Sequence, residues 1–117
     1  MKDKKIRSYN KTDKCFYYFL NGGYFDKNGD VADRWKFNWD NAEDSTCLRD
    51  KNGKEIFEGD IWKRDGFIGV VEFKFSEWHI ETTKSSNSIQ YPSFYGNAHG
   101  GEIIGSIRET PELMEAI

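Results

Sequence analysis

Four side chains in this sequence are of the types that ligate zinc: Cys15, Cys47, His79 and His99. Zinc motifs are recognisable because their ligands come in close pairs, separated by only a few residues. Here each potential ligand stands alone in its own stretch of sequence. The sequence therefore predicts no metal site, and it predicts that the two cysteines are free thiols, because nothing marks the chain for an oxidising compartment.

The tetrapeptide Asp-Lys-Asn-Gly occurs twice, at residues 26–29 and 50–53, and suggests a calcium-binding loop. An EF-hand loop needs oxygen ligands at positions 1, 3 and 5, Gly at position 6 and Glu at position 12. Val31 and Phe37 fall where the first copy needs Gly and Glu, and Lys54 falls where the second copy needs an oxygen ligand. Both copies are therefore interpreted as Asn-Gly hairpin turns.

General acid–base chemistry is suggested by His79, which lies between Glu77 and Glu81 on the predicted wet face of a strand. Carboxylates beside a surface histidine are ordinary neighbours on a sheet. The sequence contains no phosphate-binding glycine loop ending in Lys-Ser or Lys-Thr, no Gly-x-Ser-x-Gly and no His-Glu-x-x-His. No catalytic residue and no cofactor are predicted, and the chain is not expected to be an enzyme.

The elements that would position any site are predicted to be strands. The 117 residues include four Trp, six Tyr and nine Phe, and aromatic side chains favour the pleated surface of a sheet. A chain of this length forms one core, so a single domain over residues 1–117 is expected. Residues 15–20 predict a buried strand that ends at the turn Asn21-Gly22-Gly23.

Residues 46–75 predict adjacent antiparallel strands. Asn52-Gly53 predicts a type I′ turn, Gly59-Asp60 a bulge and Asp65-Gly66 a second turn. In the following strand, alternation places Phe67, Val71, Phe73 and Phe75 on one face and Glu72 and Lys74 on the other.

Three stretches allow two interpretations. Trp35, Phe37 and Trp39 alternate with polar residues, so this aromatic face is either core or an exposed platform that stacks on bases, sugars or a partner's aromatic residues. The negative charge of residues 40–45 would repel a nearby phosphate backbone, so stacking on nucleic-acid bases is the less favoured version of the platform. Lys2–Arg7 is either a solvated edge or a partner-binding arm, and the loop-like residues 84–100 form a mobile connection or a binding loop.

Two segments carry a family resemblance. Residues 48–61, Leu-Arg-Asp-Lys-Asn-Gly-Lys-Glu-Ile-Phe-Glu-Gly-Asp-Ile, resemble the signature of the YopX-like family, small proteins encoded mainly by phages and prophages. Residues 102–113 are similar to that family's closing strand and its short Pro-Glu-Leu helix. This sequence departs from the pattern with Cys47 in place of the common Gly and Ser106 in place of the common Asn.

The resemblance implies an all-β fold in which strongly bent antiparallel sheets form a barrel-like structure with a short C-terminal helix. It implies no established activity, so it transfers no catalytic residue. Within the closing segment, Thr110 is a plausible N-cap and Pro111 suits the first helical position, while Leu113, Met114 and Ile117 are expected to dock on the sheets.

Charge narrows the range of partners. The net charge is −3, whereas domains that bind phosphate backbones are usually basic, so nucleic acid is the less expected partner. Residues 1–14 are basic and residues 102–117 acidic, which would favour attraction across the fold or between copies. No apolar run is long enough to span a membrane, and no signal-peptide core follows the start. A protein of the bacterial host cytosol without membrane attachment is expected.

Two functional hypotheses follow. The first is a phage-encoded, non-enzymatic interaction module that binds a protein or associates with itself. The alternative is a nucleic-acid-binding SH3-like barrel, because residues 58–66 and Gly69-Val70-Val71 weakly resemble strands of such barrels. In that fold Lys63 and Arg64 would lie near a hairpin tip.

Overall fold

A computed structural model describes residues 5–74, 77–81 and 98–115. The strands in these ranges are β1 (Ile6–Asn10), β2 (Cys15–Leu20), β3 (Gly23–Phe25), β4 (Glu43–Arg49), β5 (Glu55–Phe57), β6 (Asp60–Arg64), β7 (Phe67–Lys74), β8 (Glu77–Glu81) and β9 (Glu102–Ser106). Short 3₁₀ turns form at Arg34–Lys36, Trp39–Asn41 and Ala98–Gly100, and one helical turn forms at Glu112–Glu115. The predicted buried strand at Cys15–Leu20 is confirmed as β2, in which Phe16 and Tyr17 are buried.

The strands form two antiparallel sheets, in the orders β3-β2-β1-β4-β5 and β8-β7-β6-β9. The all-β prediction is confirmed, but the predicted barrel is wrong because neither sheet closes on itself. Closure requires the two end strands of a sheet to pair. In the second sheet these are β8 and β9, which each pair with an inner strand instead.

The chain divides into two compact units, the first ending at Ser45 and the second beginning at Thr46. In the first unit β1 pairs with β2 along its length and with the start of β4. The predicted solvated edge at Lys2–Arg7 is wrong for Arg7, which is buried because β1 is an inner strand. Its guanidinium lies 3.0 Å from the buried Glu43 carboxylate and over the Phe16 ring, which compensates the buried charge.

Two hairpins are closed by pairs of residues with positive φ. Asn21 and Gly22 have φ values of 52° and 77° between β2 and β3, and Asp65 and Gly66 have values of 50° and 84° between β6 and β7. Two successive positive φ values are the mark of a type I′ turn. Both turns were predicted, and both are confirmed.

The two Asp-Lys-Asn-Gly segments are hairpin turns, as predicted, but Asn52-Gly53 is not type I′ because only Gly53 has a positive φ. The loop is one residue longer, since the Asp50 amide donates to the Lys54 carbonyl. One carboxylate oxygen of Asp50 accepts the amides of Asn52 and Lys54. An aspartate that captures amides ahead of it favours this type of turn.

The predicted bulge at Gly59-Asp60 is also wrong. Glu58 and Gly59 form a turn in which the chain leaves one sheet at the end of β5 and enters the other at β6. Gly59 has a φ of 87°, and its amide donates to the Val71 carbonyl while its own carbonyl accepts the Ile107 amide. The Asp60 carboxylate accepts the Phe57 amide across this corner.

The core of the second unit contains Ile56, Trp62, Val71, Trp78, Ile80 and Ala98. The Trp62 indole is fully buried, and its N–H donates to the Ala98 carbonyl over 3.0 Å. Gly101 lies flat against this ring: a Cβ added there would be 2.3 Å from indole Cε2. On β7, Val71 is buried, whereas Phe73 remains half-exposed and packs edge-on with Trp78.

Several predictions fall partly outside the described residues. Phe75, most of the loop-like residues 84–100, and the side chains of Met114 and Ile117 lie there. Within the described part, the short helix begins near Pro111, and the Thr110 hydroxyl hydrogen-bonds the Ser106 backbone rather than capping it. The prediction of a single domain over residues 1–117 stays a prediction.

Candidate functional site

Residues 34–41 lie between β3 and β4 in the first unit and form two 3₁₀ turns, so the alternating aromatic stretch at residues 34–39 is not a strand. Polar side chains form hydrogen bonds with the backbone of this segment, and these bonds replace the backbone pairing that a strand would need. Asn10 donates to the Lys36 carbonyl, the Asn38 side chain accepts the Asp40 amide, and the Asn38 amide donates to the Ser8 hydroxyl. The segment is thereby fixed to β1 without strand pairing.

The three alternating aromatic residues consequently do not share one face. Phe37 is 6% exposed, Trp39 is 50% exposed and Trp35 is 73% exposed. Each interpretation of this stretch therefore holds for part of it. Phe37 belongs to the core, and Trp35 and Trp39 are exposed to solvent.

Trp39 is exposed but firmly packed. Its ring centroid lies 4.9 Å from that of Phe19 and 4.8 Å from that of Phe37, both in the inclined geometries that aromatic pairs prefer. The indole N–H of Trp39 donates to the Tyr24 hydroxyl over 3.3 Å. The polar group of the indole is therefore satisfied, and what it presents to solvent is ring surface.

Trp35 is held by a cation. The Lys36 ammonium lies 5.0 Å from the centroid of the Trp35 ring, within the range of a cation–π contact. That ammonium also donates to the Asp13 carboxylate over 2.8 Å, and the same carboxylate oxygen accepts the Tyr17 hydroxyl over 2.6 Å. Trp35 thus contacts a lysine whose ammonium is itself hydrogen-bonded to Asp13.

This set of side chains does not favour catalysis. The hydrogen bond to Asp13 raises the pKa of Tyr17 to about 12 and raises the pKa of Lys36, while the Lys36 and Tyr17 donors lower the pKa of Asp13. Lys36 and Tyr17 therefore keep their protons at neutral pH, and neither is activated as a base or nucleophile. The arrangement fixes the position of Lys36.

The other sequence candidates remain separate. Neither Cys15 nor Cys47 forms a disulfide, as predicted. His79 Nε2 lies 3.9 Å from Glu77, but its side chain is largely buried instead of lying on an exposed face. Within residues 5–74, 77–81 and 98–115, no group of three or more His, Cys, Asp or Glu side chains could hold a metal ion.

We refer to the two exposed side chains Trp35 and Trp39 together as the tryptophan surface, and in the sequence both have an exposed acidic residue close by. Asp33 precedes Trp35 and Asp40 follows Trp39, and both are exposed. Asp30 is also exposed beside Val31, an apolar side chain that is 84% exposed. Arg34 is the one exposed basic residue between positions 30 and 40.

Sequence reasoning found the tryptophans but missed what positions them. Asp13 and Lys36 are 23 residues apart in the chain. No spacing rule links a turn residue to a residue in a distant connection, so only the fold brings these two together.

A second group of contacts joins the two sequence segments that resemble a known family. The remaining Asp50 carboxylate oxygen accepts the Ile103 amide over 2.9 Å, and the Lys51 amide donates to the Gly101 carbonyl over 2.8 Å.

A family model described as YopX protein matches residues 1–115. The chain belongs to the YopX family.

The contacts of Asp50 give a structural role to residues 48–61, one of the two segments that carry the family resemblance. Asp50 is buried, closes its own turn and fixes the start of β9. Asp50 therefore links its own turn to β9 within the second unit, whereas the tryptophan surface lies in the first unit. No curated protein matches this YopX chain. In the described part of the chain, no helix is long and apolar enough to cross a membrane.

Proposed function

We propose that this YopX protein is a non-enzymatic binding module whose partner is a protein, and that the tryptophan surface makes the contact. The supporting observation is that Trp35 and Trp39 are exposed and yet held in place. Tryptophan is enriched among the residues that dominate interface energies. Rings that are already ordered lose less conformational entropy on binding, which favours affinity.

Addition of a partner strand is less favoured at two of the sheet edges. The Tyr24 carbonyl of β3 accepts the Ala32 amide, so residues of the same chain already occupy that edge. The start of β9 is engaged by Asp50 and Lys51. A partner is therefore proposed to bind through side chains rather than through backbone pairing at these edges.

The nucleic-acid alternative is weaker. An SH3-like barrel requires closure, and both sheets are open. The side chain of Arg64 lies next to Gly100, and its guanidinium is 3.8 Å from the Asp65 carboxylate. The position of Arg64 near the hairpin tip therefore does not by itself indicate phosphate binding. The aspartates beside the tryptophans would repel a phosphate backbone.

The setting we propose is the cytosol of a bacterial host, with a phage or prophage as the source of the protein, as the family resemblance implies. Two cysteines without a disulfide agree with a reducing compartment.

The test is site-specific photo-crosslinking in bacterial lysate. A photo-reactive phenylalanine analogue replaces Trp35 in one variant and Ile107 in a control, since Ile107 is a partly exposed apolar residue of the second unit. The proposal expects defined protein adducts from position 35 and none of these from position 107. Nuclease-sensitive adducts from position 35, or the same protein adducts from both positions, would contradict it.

A further inference from the structure

We infer that the partner of the tryptophan surface is a basic polypeptide segment that places Lys or Arg side chains, next to apolar ones, on Trp35 and Trp39. This inference rests on the proposed function and names the chemistry of its partner. Two observations support it: the exposed acidic residues close to the tryptophans in the sequence, and the cation–π contact that Lys36 already makes with Trp35.

The exposed charged residues of the segment that carries the two rings are mostly acidic. Asp30, Asp33 and Asp40 are exposed, whereas Arg34 is the one exposed cation in the same stretch. A field of this sign attracts a basic segment and repels an acidic one, which sets the specificity and the association rate of an interface. An acidic or phosphorylated partner would bring like charges together.

The rings themselves present a surface that attracts cations. The face of an indole is the best aromatic acceptor for an ammonium or guanidinium group. The chain already uses this property, because Lys36 lies over the Trp35 ring and its charge is balanced by Asp13. A partner cation that binds the exposed rings would meet a segment that also carries the exposed carboxylates of Asp33 and Asp40.

Apolar side chains of the partner are needed as well. Val31 is 84% exposed, and the indole N–H of Trp39 is bonded to Tyr24, so these two residues offer carbon surface and no free donor. Burying such surface contributes about 25 cal/mol per Å². A purely cationic segment would leave this contribution unused.

The experiment uses three synthetic peptides of equal length: one that alternates Lys and Leu, one in which Glu replaces every Lys, and one of Lys and Gly without apolar side chains. Each is titrated into the intact protein by calorimetry at low salt. The Lys-Leu peptide is expected to bind best, and its affinity is expected to fall as salt screens the charges.

Variants locate the binding. Trp35→Ala is expected to weaken the Lys-Leu peptide about tenfold, as for a typical aromatic anchor. The double variant Asp33→Asn, Asp40→Asn is expected to weaken it roughly fivefold, in line with two exposed ion pairs. Asp65→Asn is the matched control, because its carboxylate is 92% exposed in the second unit, and it should leave the affinity unchanged.

Any one of three results would overturn the inference. The first is that the Glu-Leu peptide binds as well as the Lys-Leu peptide, and the second is that the Lys-Gly peptide binds as well as the Lys-Leu peptide. The third is that Asp65→Asn weakens binding as much as the double variant. If protein adducts form at position 35 but no basic peptide binds, the proposed function stands and the inference about charge fails. Preferential binding of an oligonucleotide over all three peptides would overturn both.

Discussion

The four tryptophans fall into two pairs, one buried and one exposed to solvent. Trp62 and Trp78 of the second unit are buried, and the Trp62 N–H donates to a backbone carbonyl inside the core. Trp35 and Trp39 of the first unit remain open to solvent, although the Trp39 N–H and the Trp35 face both have partners. The difference separates a pair that stabilises the fold from a pair that is positioned without being buried.

This contrast explains why the two pairs should respond differently to substitution. Burial of an aromatic side chain removes large apolar area from water, so changes around Trp62 act on the free energy of unfolding. An exposed ring contributes little of that energy, so changes at Trp35 should act on binding. The following predictions begin with the largest expected change in stability and end with the smallest.

The largest effect is expected from Gly101→Ala. The new Cβ would lie 2.3 Å from the buried Trp62 ring, so either the ring or β9 must move. We expect a loss of about 3 kcal/mol in the free energy of unfolding, measured by denaturant titration. Combining it with Trp62→Phe should give a loss smaller than the sum of the two single losses, since the smaller ring relieves the overlap. A Gly101→Ala protein as stable as the parent would show that Trp62 is not tightly packed.

The two Asp-Lys-Asn-Gly turns provide the next test. Asp26 and Asp50 each accept two backbone amides within their own turn, but Asp50 is buried and also accepts the Ile103 amide. Asp50→Ala should cost about 2 to 3 kcal/mol because it leaves a partly buried amide without its acceptor. Asp26→Ala, the matched control, should cost about 1 kcal/mol. Equal losses would contradict the role given to Asp50.

Much of this fold was predictable from the sequence. The strand at residues 15–20 and the turns at Asn21-Gly22 and Asp65-Gly66 follow from local residue chemistry, and all are present. The failures depend on distant partners. Residues 34–41 leave the strand conformation because Ser8 and Asn10 bind their backbone, and open sheets differ from a barrel in pairings that no local pattern specifies. The exposure of Trp35 has the same origin.

Cys47→Gly should stabilise the second unit while leaving the tryptophan surface unchanged. Cys47 has a φ of 63°, a backbone conformation that suits glycine. Relief of this conformation should raise the free energy of unfolding by about 1 kcal/mol. Cys47→Ala retains the Cβ and serves as the control, which should gain nothing. A similar gain in both variants would indicate that the thiol, not the backbone, causes the strain.

The hydrogen bond from the Tyr17 hydroxyl to Asp13 should contribute stability that is lost at strongly alkaline pH. Because the folded pKa of Tyr17, about 12, lies above its ordinary value of 10, the protonated hydroxyl stabilises the fold below pH 10. That stability should be lost as pH rises from 10 through about 12. Difference absorbance titration of the parent against Tyr17→Phe measures this ionisation, and Asp13→Asn should move it back toward pH 10. Ionisation near 10 in the parent would exclude the Asp13 hydrogen bond.

The most direct test of the central claim is the affinity of Trp35→Ala for a protein recovered by crosslinking at position 35, measured by calorimetry beside its free energy of unfolding. We predict that the affinity falls about tenfold while stability changes by less than about 0.5 kcal/mol, because Trp35 is 73% exposed. Ile107→Ala should bind like the parent. An unchanged affinity of Trp35→Ala, or a loss that merely follows unfolding, would contradict the claim that this tryptophan is exposed in order to bind.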